Sequence, residues 1–274
     1  ENLLPEPSMC GQQIFTRLRP ADSVQEVRLT LHLLRHTPDP DRLVALAARR
    51  CYSARAAEDI EEHLTQEEID RLLAFLRQRN HLSPFEHADF TFSADGISRA
   101  LSHQLVRHRI ASYSQESQRY VNYMKAPALP YIVPPSIAKN PDALAIFDKT
   151  MHQTLEAYRS MVNAGVAPED ARYIFPNAIE TKLVFTLNAR SLFNFFEQRC
   201  CLKAQWEIRQ LAFDMLKAVR EVAPQIFKSA GAPCQFAVNP YCRENDVNCP
   251  QYKSMQKRIK QNDQQNPGGI EKES

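Results

Sequence analysis

The sequence lacks a long apolar run: nowhere does it approach the roughly 18 consecutive apolar side chains that a membrane-spanning helix needs. It also lacks an excess of one charge. Its 34 Lys and Arg against 32 Asp and Glu leave +2, which gives no global attraction for polynucleotide or an anionic membrane. Any phosphate recognition therefore has to be local. The opening residues ENLLPEPSMCGQQ carry no basic stretch followed by an apolar one, so the reading is a cytoplasmic protein. An even set of cysteines is lacking as well. Seven is an odd count in a chain read this way, and a disulfide framework is not expected. Cys10, Cys51, Cys200 and Cys201 read as ordinary reduced thiols. Cys234, Cys242 and Cys249 are grouped in one Pro- and Asn-containing stretch, but seven and six residues separate them, unlike the short CxxC clips of common zinc sites. They too read as free thiols, and no metal is expected. There is no internal repeat and no clear linker that forces a second domain, and 274 residues suffice for a sizeable core.

What is present is a regular succession of elements. Val27, Leu29, Leu31 and Leu33 alternate with Arg28, Thr30 and His32, a period of two that predicts a strand with one buried face. Leu43, Leu46, Ala47 and Cys51 then have helical spacing. Thr65 and Glu68 form a capping box ahead of Ile69, Leu72, Leu73 and Leu76. Pro84 ends any helix, and Phe85 to Phe92 alternates enough for a strand. The turn before it holds His81, Ser83, Glu86 and His87, which invite a metal reading without supplying the helical HExxH spacing. A long helix is predicted over about 142–163, with Gly165 just past its end and Pro168 opening a short one. Thr181 to Leu187 reads as a strand, and the residues from Asn188 to Val219 read as one extended helical segment packed on other helices. From Ser254 onward there is little apolar payload, which predicts disorder.

The central stretch is Arg107 to Tyr120, RHRIASYSQESQRY. It gathers fixed cations, an imidazole and the short polar side chains Ser112, Ser114, Gln115, Ser117 and Gln118, an inventory suited to an anionic, hydrogen-bond-rich ligand. Ile97, Leu101 and Leu105 stand four apart ahead of it, so Arg107, His108 and Arg109 fall near a helix C-terminus, where cations match the dipole. On that triplet alone a solvated helix end is the simpler reading. Consecutive helical side chains diverge by about 100°, so the three cannot grip one compact group and better suit a wall between ligands or subunits. For Arg190 and Arg199 the simpler reading is an ion pair with Glu197 or Glu207.

The same stretch resembles the flavin-dependent thymidylate synthases, whose signature is RHR followed after seven residues by Ser: here Arg107-His108-Arg109 and Ser117, in a segment ending Arg119-Tyr120. The resemblance runs from roughly Val27 to Ala230. It implies an α+β fold, a central largely antiparallel sheet flanked by long helices, in a single domain that assembles as a homotetramer with active sites at its subunit interfaces. It implies that dUMP is methylated to dTMP with methylenetetrahydrofolate as one-carbon donor and NADPH as reductant through bound FAD. By position, His81, Ser83, Arg107, His108, Arg109, Gln115, Asn188, Arg190 and Asn194 match flavin contacts. Gln104, Leu105, Arg107, Gln115, Glu116, Ser117, Gln118, Arg119 and Arg172 match positions that hold the nucleotide. Arg199 matches the residue that polarises the uracil imide, as a guanidinium can without transferring a proton. The corresponding division of the chain is a loosely ordered lead-in over 1–22, the catalytic domain over 23–232, a Cys-bearing extension over 233–253 and a disordered tail over 254–274.

Two other functions fit part of the sequence. A thymidylate synthase of the unrelated, thiolate-dependent kind would use Cys200 or Cys201, with Arg199 lowering the thiol pKa. A nucleotide- or RNA-binding module would use Arg107, Arg109, Arg119 and Tyr120 for phosphate and stacking contacts.

Overall fold

A computed structural model describes residues 27–237 and 239–265, the last four without side-chain detail. The lead-in expected over 1–22, Cys10 and the stretch beyond 265 lie outside them. In chain order the elements are β1 (Thr30–His36), α1 (Pro40–Arg50), α2 (Ala57–His63), α3 (Gln66–Gln78), β2 (Asp89–Ser98), α4 (Arg99–Leu105), β3 (Ala111–Gln115) and α5 (Pro135–Ala138). They continue with α6 (Pro141–Asn163), α7 (Pro168–Ala171), β4 (Glu180–Asn188), α8 (Ala189–Arg199), α9 (Trp206–Val222), α10 (Pro233–Phe236) and α11 (Pro250–Gln265). The α+β class is as expected from the sequence. The strands lie in the order β1-β2-β4-β3, with β1 antiparallel to β2 and β3 antiparallel to β4.

Two compact units make up the domain, one of residues 28–116 and the described residues from 181 onward, and one whose described part is essentially 117–180. In the larger unit the alternation of β2 places Phe90, Phe92 and Ala94 wholly inside, and β4 does the same with Leu183, Phe185 and Leu187. Helices α8 and α9 cover that face with Phe193, Phe195, Phe196, Leu211 and Met215, all at most 2% exposed. Each such side chain removed from water contributes about 1.5–3 kcal/mol. The smaller unit has its own core, in which Tyr123, Leu155 and Tyr158 pack together and Phe175 lies against Tyr158.

Several local signals are realised as the sequence predicts. Thr65 Oγ1 accepts from the Glu68 amide while Glu68 reaches back to the Thr65 amide, which closes the capping box of α3. Gly165, at φ 91°, takes the left-handed position after α6 that residues with a Cβ avoid. Three expectations fail. Phe85 stands in a single 3₁₀ turn over Ser83–His87, and the strand starts at Asp89 and continues to Ser98. The long helical segment is broken: α8 ends at Arg199, and Gln205 caps a fresh helix by accepting from the amides of Glu207 and Ile208. In place of a disordered tail from Ser254, α11 runs to Gln265 and buries Met255 in the core of the larger unit, with Tyr252 and Ile259 packed beside it. No helix among the described residues is long and apolar enough to cross a membrane.

Candidate active site

Helix α4 begins at Ser98, whose hydroxyl accepts from the Leu101 amide. Ser98 is fixed in turn by the buried Glu207 of α9, which accepts from its backbone N–H at 2.7 Å and from its hydroxyl at 2.5 Å. Burial pushes the Glu207 carboxyl above its usual range despite these bonds. About two turns later α4 stops at Leu105, and the chain must reverse into β3. Tyr113 holds the reversal: its hydroxyl lies 2.9 Å from the Leu105 carbonyl and 2.8 Å from the His108 carbonyl. Ile110 adopts φ 61°, which costs a residue with a Cβ on the order of 1–2 kcal/mol. Its carbonyl accepts from Ser191 Oγ at 3.0 Å, tying the strained corner to the start of α8.

The reversal turns His108 inward and its two neighbours outward. His108 is 5% exposed, edge-on to the Phe195 ring, whereas Arg107 and Arg109 are exposed. Arg199, the last residue of α8, donates from Nε to His108 Nε2 at 2.9 Å. An imidazole that accepts at Nε2 carries its proton at Nδ1. That Nδ1 is buried without a partner among the described residues. Burial, then the Arg199 charge, lowers the His108 pKa to about 4, so the ring is neutral at physiological pH. Burial and the like charge of Arg107 lower the Arg199 pKa. Among the described residues no carboxylate pairs with Arg107, Arg109 or Arg199. Cations gathered without a counter-charge, beside a buried donor in need of an acceptor, make a receptor for an anion with hydrogen-bonding edges.

Residues 32–225 match the family model described as thymidylate synthase complementing protein. A flavin-dependent thymidylate synthase of Clostridium tetani is 46% identical over 241 residues, which cover 82% of this chain and 94% of the relative. One from Geobacter sulfurreducens is 47% identical over 221 residues, with 81% and 94% covered. This chain belongs to the flavin-dependent thymidylate synthase family. Its fold is also that of a solved UMP/dUMP methylase, PolB, from Streptomyces cacaoi, with a TM-score of 0.64 at 23% identity over 75% of this chain and 95% of that one.

The residues that flavin-dependent thymidylate synthases lead one to expect at a site are distributed as follows. In the larger unit, Asn188 caps α8 through its Oδ1, which accepts from the Ser191 amide at 2.9 Å. Arg190 pairs with Glu86, and this links α8 to the turn that carries the exposed His81 and Ser83. Asn194, one turn further along α8, accepts from Gln198 at 2.8 Å. The Gln115 amide nitrogen lies 3.0 Å from both Ser102 Oγ and Thr181 Oγ1, which leaves its carbonyl oxygen for a ligand. Gln104 bonds back to the Ala100 carbonyl, and Glu116 stands 3.8 Å from Lys182. Leu105 is wholly buried, so only its backbone could meet a ligand. In the smaller unit, Arg119 pairs with Glu169 at 2.8 Å and Arg172 donates to the Glu169 carbonyl at 2.9 Å. Ser117 Oγ accepts from the Arg119 amide, and the Gln118 amide nitrogen is buried without a partner.

Two simpler readings are corrected. Neither Arg190 nor Arg199 pairs with Glu197 or Glu207; Glu197 binds Arg243 and Glu207 binds Ser98. Nor is Cys200 a poised thiolate, since burial raises its thiol to about 12 and the nearby cation that opposes the shift is Arg220. Tyr113 and Glu207 are the positioning residues that sequence reasoning missed. Tyr113 could have been found from the period of β3, whose alternation turns Ala111, Tyr113 and Gln115 inward and leaves Ser112 and Ser114 exposed. Glu207 left no local signal, because its partner is 109 residues away.

The larger unit fits a flavin. Arg107 and Arg109 offer unneutralised cations for a pyrophosphate, and the orphaned Nδ1 of His108 shows a buried polar group awaiting an acceptor.

Proposed function

We propose that this chain is a cytoplasmic enzyme that methylates dUMP reductively to dTMP, taking the one-carbon unit from methylenetetrahydrofolate and reducing equivalents from NADPH, with FAD as cofactor and no protein nucleophile. The observation that carries the reading is the Arg199–His108 contact beside the uncompensated Arg107, in a chain 46% identical to a flavin-dependent thymidylate synthase. FAD supplies the two-electron chemistry that side chains lack. His108 accepts the Arg199 Nε–H and so fixes the plane of the guanidinium, leaving the terminal nitrogens of Arg199 for the uracil imide. A fixed cation there stabilises negative charge on the imide and raises electron density at carbon five. Depressed basicity matters little to Arg199, which stays charged, but the repulsion from Arg107 is relieved when an anion arrives. Arg107, Arg109 and Arg190 would hold the flavin phosphates, with His81, Ser83, Asn188 and Asn194 along its remaining length. Gln118, Arg119 and Arg172 would hold the nucleotide. In the proposed homotetramer, neighbouring subunits would cover exposed apolar residues flanking these positions, Ile110 in one unit and Tyr120 and Tyr173 in the other, at 77, 81 and 83% exposure.

The test is the visible spectrum of the purified protein, recorded anaerobically before and after NADPH with and without dUMP. A flavin spectrum that bleaches with NADPH, faster with dUMP, is expected, with dTMP formed once methylenetetrahydrofolate is added. A colourless protein that fails to take up FAD would overturn the reading.

A further inference from the structure

Five of the seven cysteines line one largely enclosed cavity in the larger unit, next to the end of α8: Cys200, Cys201, Cys234, Cys242 and Cys249. The space is small, about 20 Å³, room for one water-sized guest. Cys200 belongs to the hydrophobic core and is 2% exposed. The remaining four form a group in which Cys201, Cys242 and Cys249 all act electrostatically on Cys234. They come from three separate pieces of chain: the connection after α8, helix α10, and the segment that leads into α11. Thirty-two residues lie between Cys201 and Cys234, so the short clips that mark zinc sites in sequence are absent.

Packing accounts for only part of the gathering: Cys234 belongs to the same core and Cys242 packs against it, whereas Cys201 and Cys249 do neither. Cys242 and Cys249 are half-buried in a stretch whose neighbours in the cavity wall include the charged Lys203, Glu244 and Asp246. The local backbone is nevertheless held. Asp246 accepts from the Asn248 amide at 3.0 Å and its carbonyl accepts from the Cys249 amide at 3.0 Å, a tight turn that fixes Cys249. The Lys203 ammonium pairs with Asp246 at 2.7 Å and lies close enough to Cys249 to feel its charge. Arg258 of α11 donates to the carbonyls of Cys234 and Gln235, at 3.3 and 2.5 Å, and joins the second piece to the third.

We propose that Cys201, Cys234, Cys242 and Cys249 bind a single thiophilic divalent ion of the zinc class as a tetrathiolate. Each thiol gives up its proton to solvent as its sulfur bonds the metal, and no electron changes hands. Four thiolates on a divalent ion leave two negative charges, which the Lys203 ammonium partly offsets. Among the described residues no group of three or more His, Cys, Asp and Glu is already set to hold a metal, so binding requires the four sulfurs to draw together. The ion would clamp the segment carrying α10 and α11 to the connection that leaves α8 two residues after Arg199. Its role is structural, with all four positions taken by protein.

The test uses the full chain purified without chelator. Metal analysis is expected to find about one zinc per chain, released by a mercurial that titrates thiols. Replacement by cobalt is expected to give the charge-transfer and d–d bands of a tetrahedral tetrathiolate, a readout that needs no variant to fold. Cys242→Ser and Cys249→Ser are expected to lose the metal, while Cys51→Ser, at an exposed position outside the cavity, keeps it. The proposal is overturned by a metal-free chain that takes up no zinc in competition with a chromophoric chelator, or by an octahedral cobalt spectrum. It is equally overturned if the two cysteine variants retain full zinc, or if iron with acid-labile sulfide occupies the site.

Discussion

His108 is the residue on which the site's electrostatics turn, because it is neutral by construction. Its folded pKa of about 4 lies below the ordinary 6.5, so the unfolded chain binds the proton more readily between those values. The stability it contributes is therefore complete above about pH 6.5 and is lost as pH falls through about 4. A shift of that size corresponds to at most about 3.5 kcal/mol, at roughly 1.4 kcal/mol per unit. Glu207, Asp41 and Asp214 have raised carboxyl pKa values, which oppose this trend in the acid range. The clean reading is thus the difference between wild type and His108→Gln: thermal unfolding midpoints are expected to converge as pH is lowered from 7 to 4, and parallel profiles would contradict the assignment. Arg199→Lys keeps the charge but loses the planar fork that meets His108 and, in the proposed reaction, would meet the imide. We expect kcat to fall by about 10²-fold, comparable to removing one preorganised donor, with much less change in FAD uptake. Equal losses in both would place Arg199 among the cofactor contacts instead.

The elements carry the site through joints between distant parts of the chain. Glu207, near the start of α9, fixes Ser98 at the start of α4, and α4 delivers His108. Glu207→Ala leaves the Ser98 amide and hydroxyl unmet in a buried place, with an expected loss of about 2–4 kcal/mol in denaturant unfolding. The exposed cap Thr65→Ala, by comparison, is expected to cost only about 1 kcal/mol. The contrast between these two residues shows what sequence makes legible. The Thr65 box is written within four residues, as are the period of β4 and the Gly165 stop, because each depends on neighbours in the chain. Glu207 and Arg190 acquire their partners only through tertiary packing, 109 and 104 residues away, at separations no local pattern encodes. The break between α8 and α9 was hidden because the apolar stripe of Leu192, Phe195 and Phe196 resumes at Ile208 and Leu211 without an intervening Pro or Gly. Helix α11 did leave a trace, Tyr252, Met255 and Ile259 at helical spacing, outweighed by the polar composition around it.

Across the whole molecule, the span of the family model and the folded core do not end at the same place. The matched span closes at residue 225, yet Ile226, Phe227, Ala230 and Ala232 are 0–2% exposed, and Met255 is 3% exposed in the same core. Phe227 touches the rings of Phe90, Phe193 and Phe196, which belong to β2 and α8. Asp41, at the start of α1, accepts from the amides of Gln225 and Ile226 at 3.0 Å. A chain stopped after Gln225 would lose Ile226, Phe227 and Met255 from the interior, at about 1.5–3 kcal/mol for each large side chain. That sum rivals the whole stability of an ordinary domain. We expect such a truncation to accumulate as aggregate, and one ending at 265 to remain monodisperse; a soluble, cooperatively melting chain of residues 27–225 would refute this. The end of a family model's match is thus not the end of a folding unit, because the core it belongs to reaches some thirty residues further, to the helix that buries Met255.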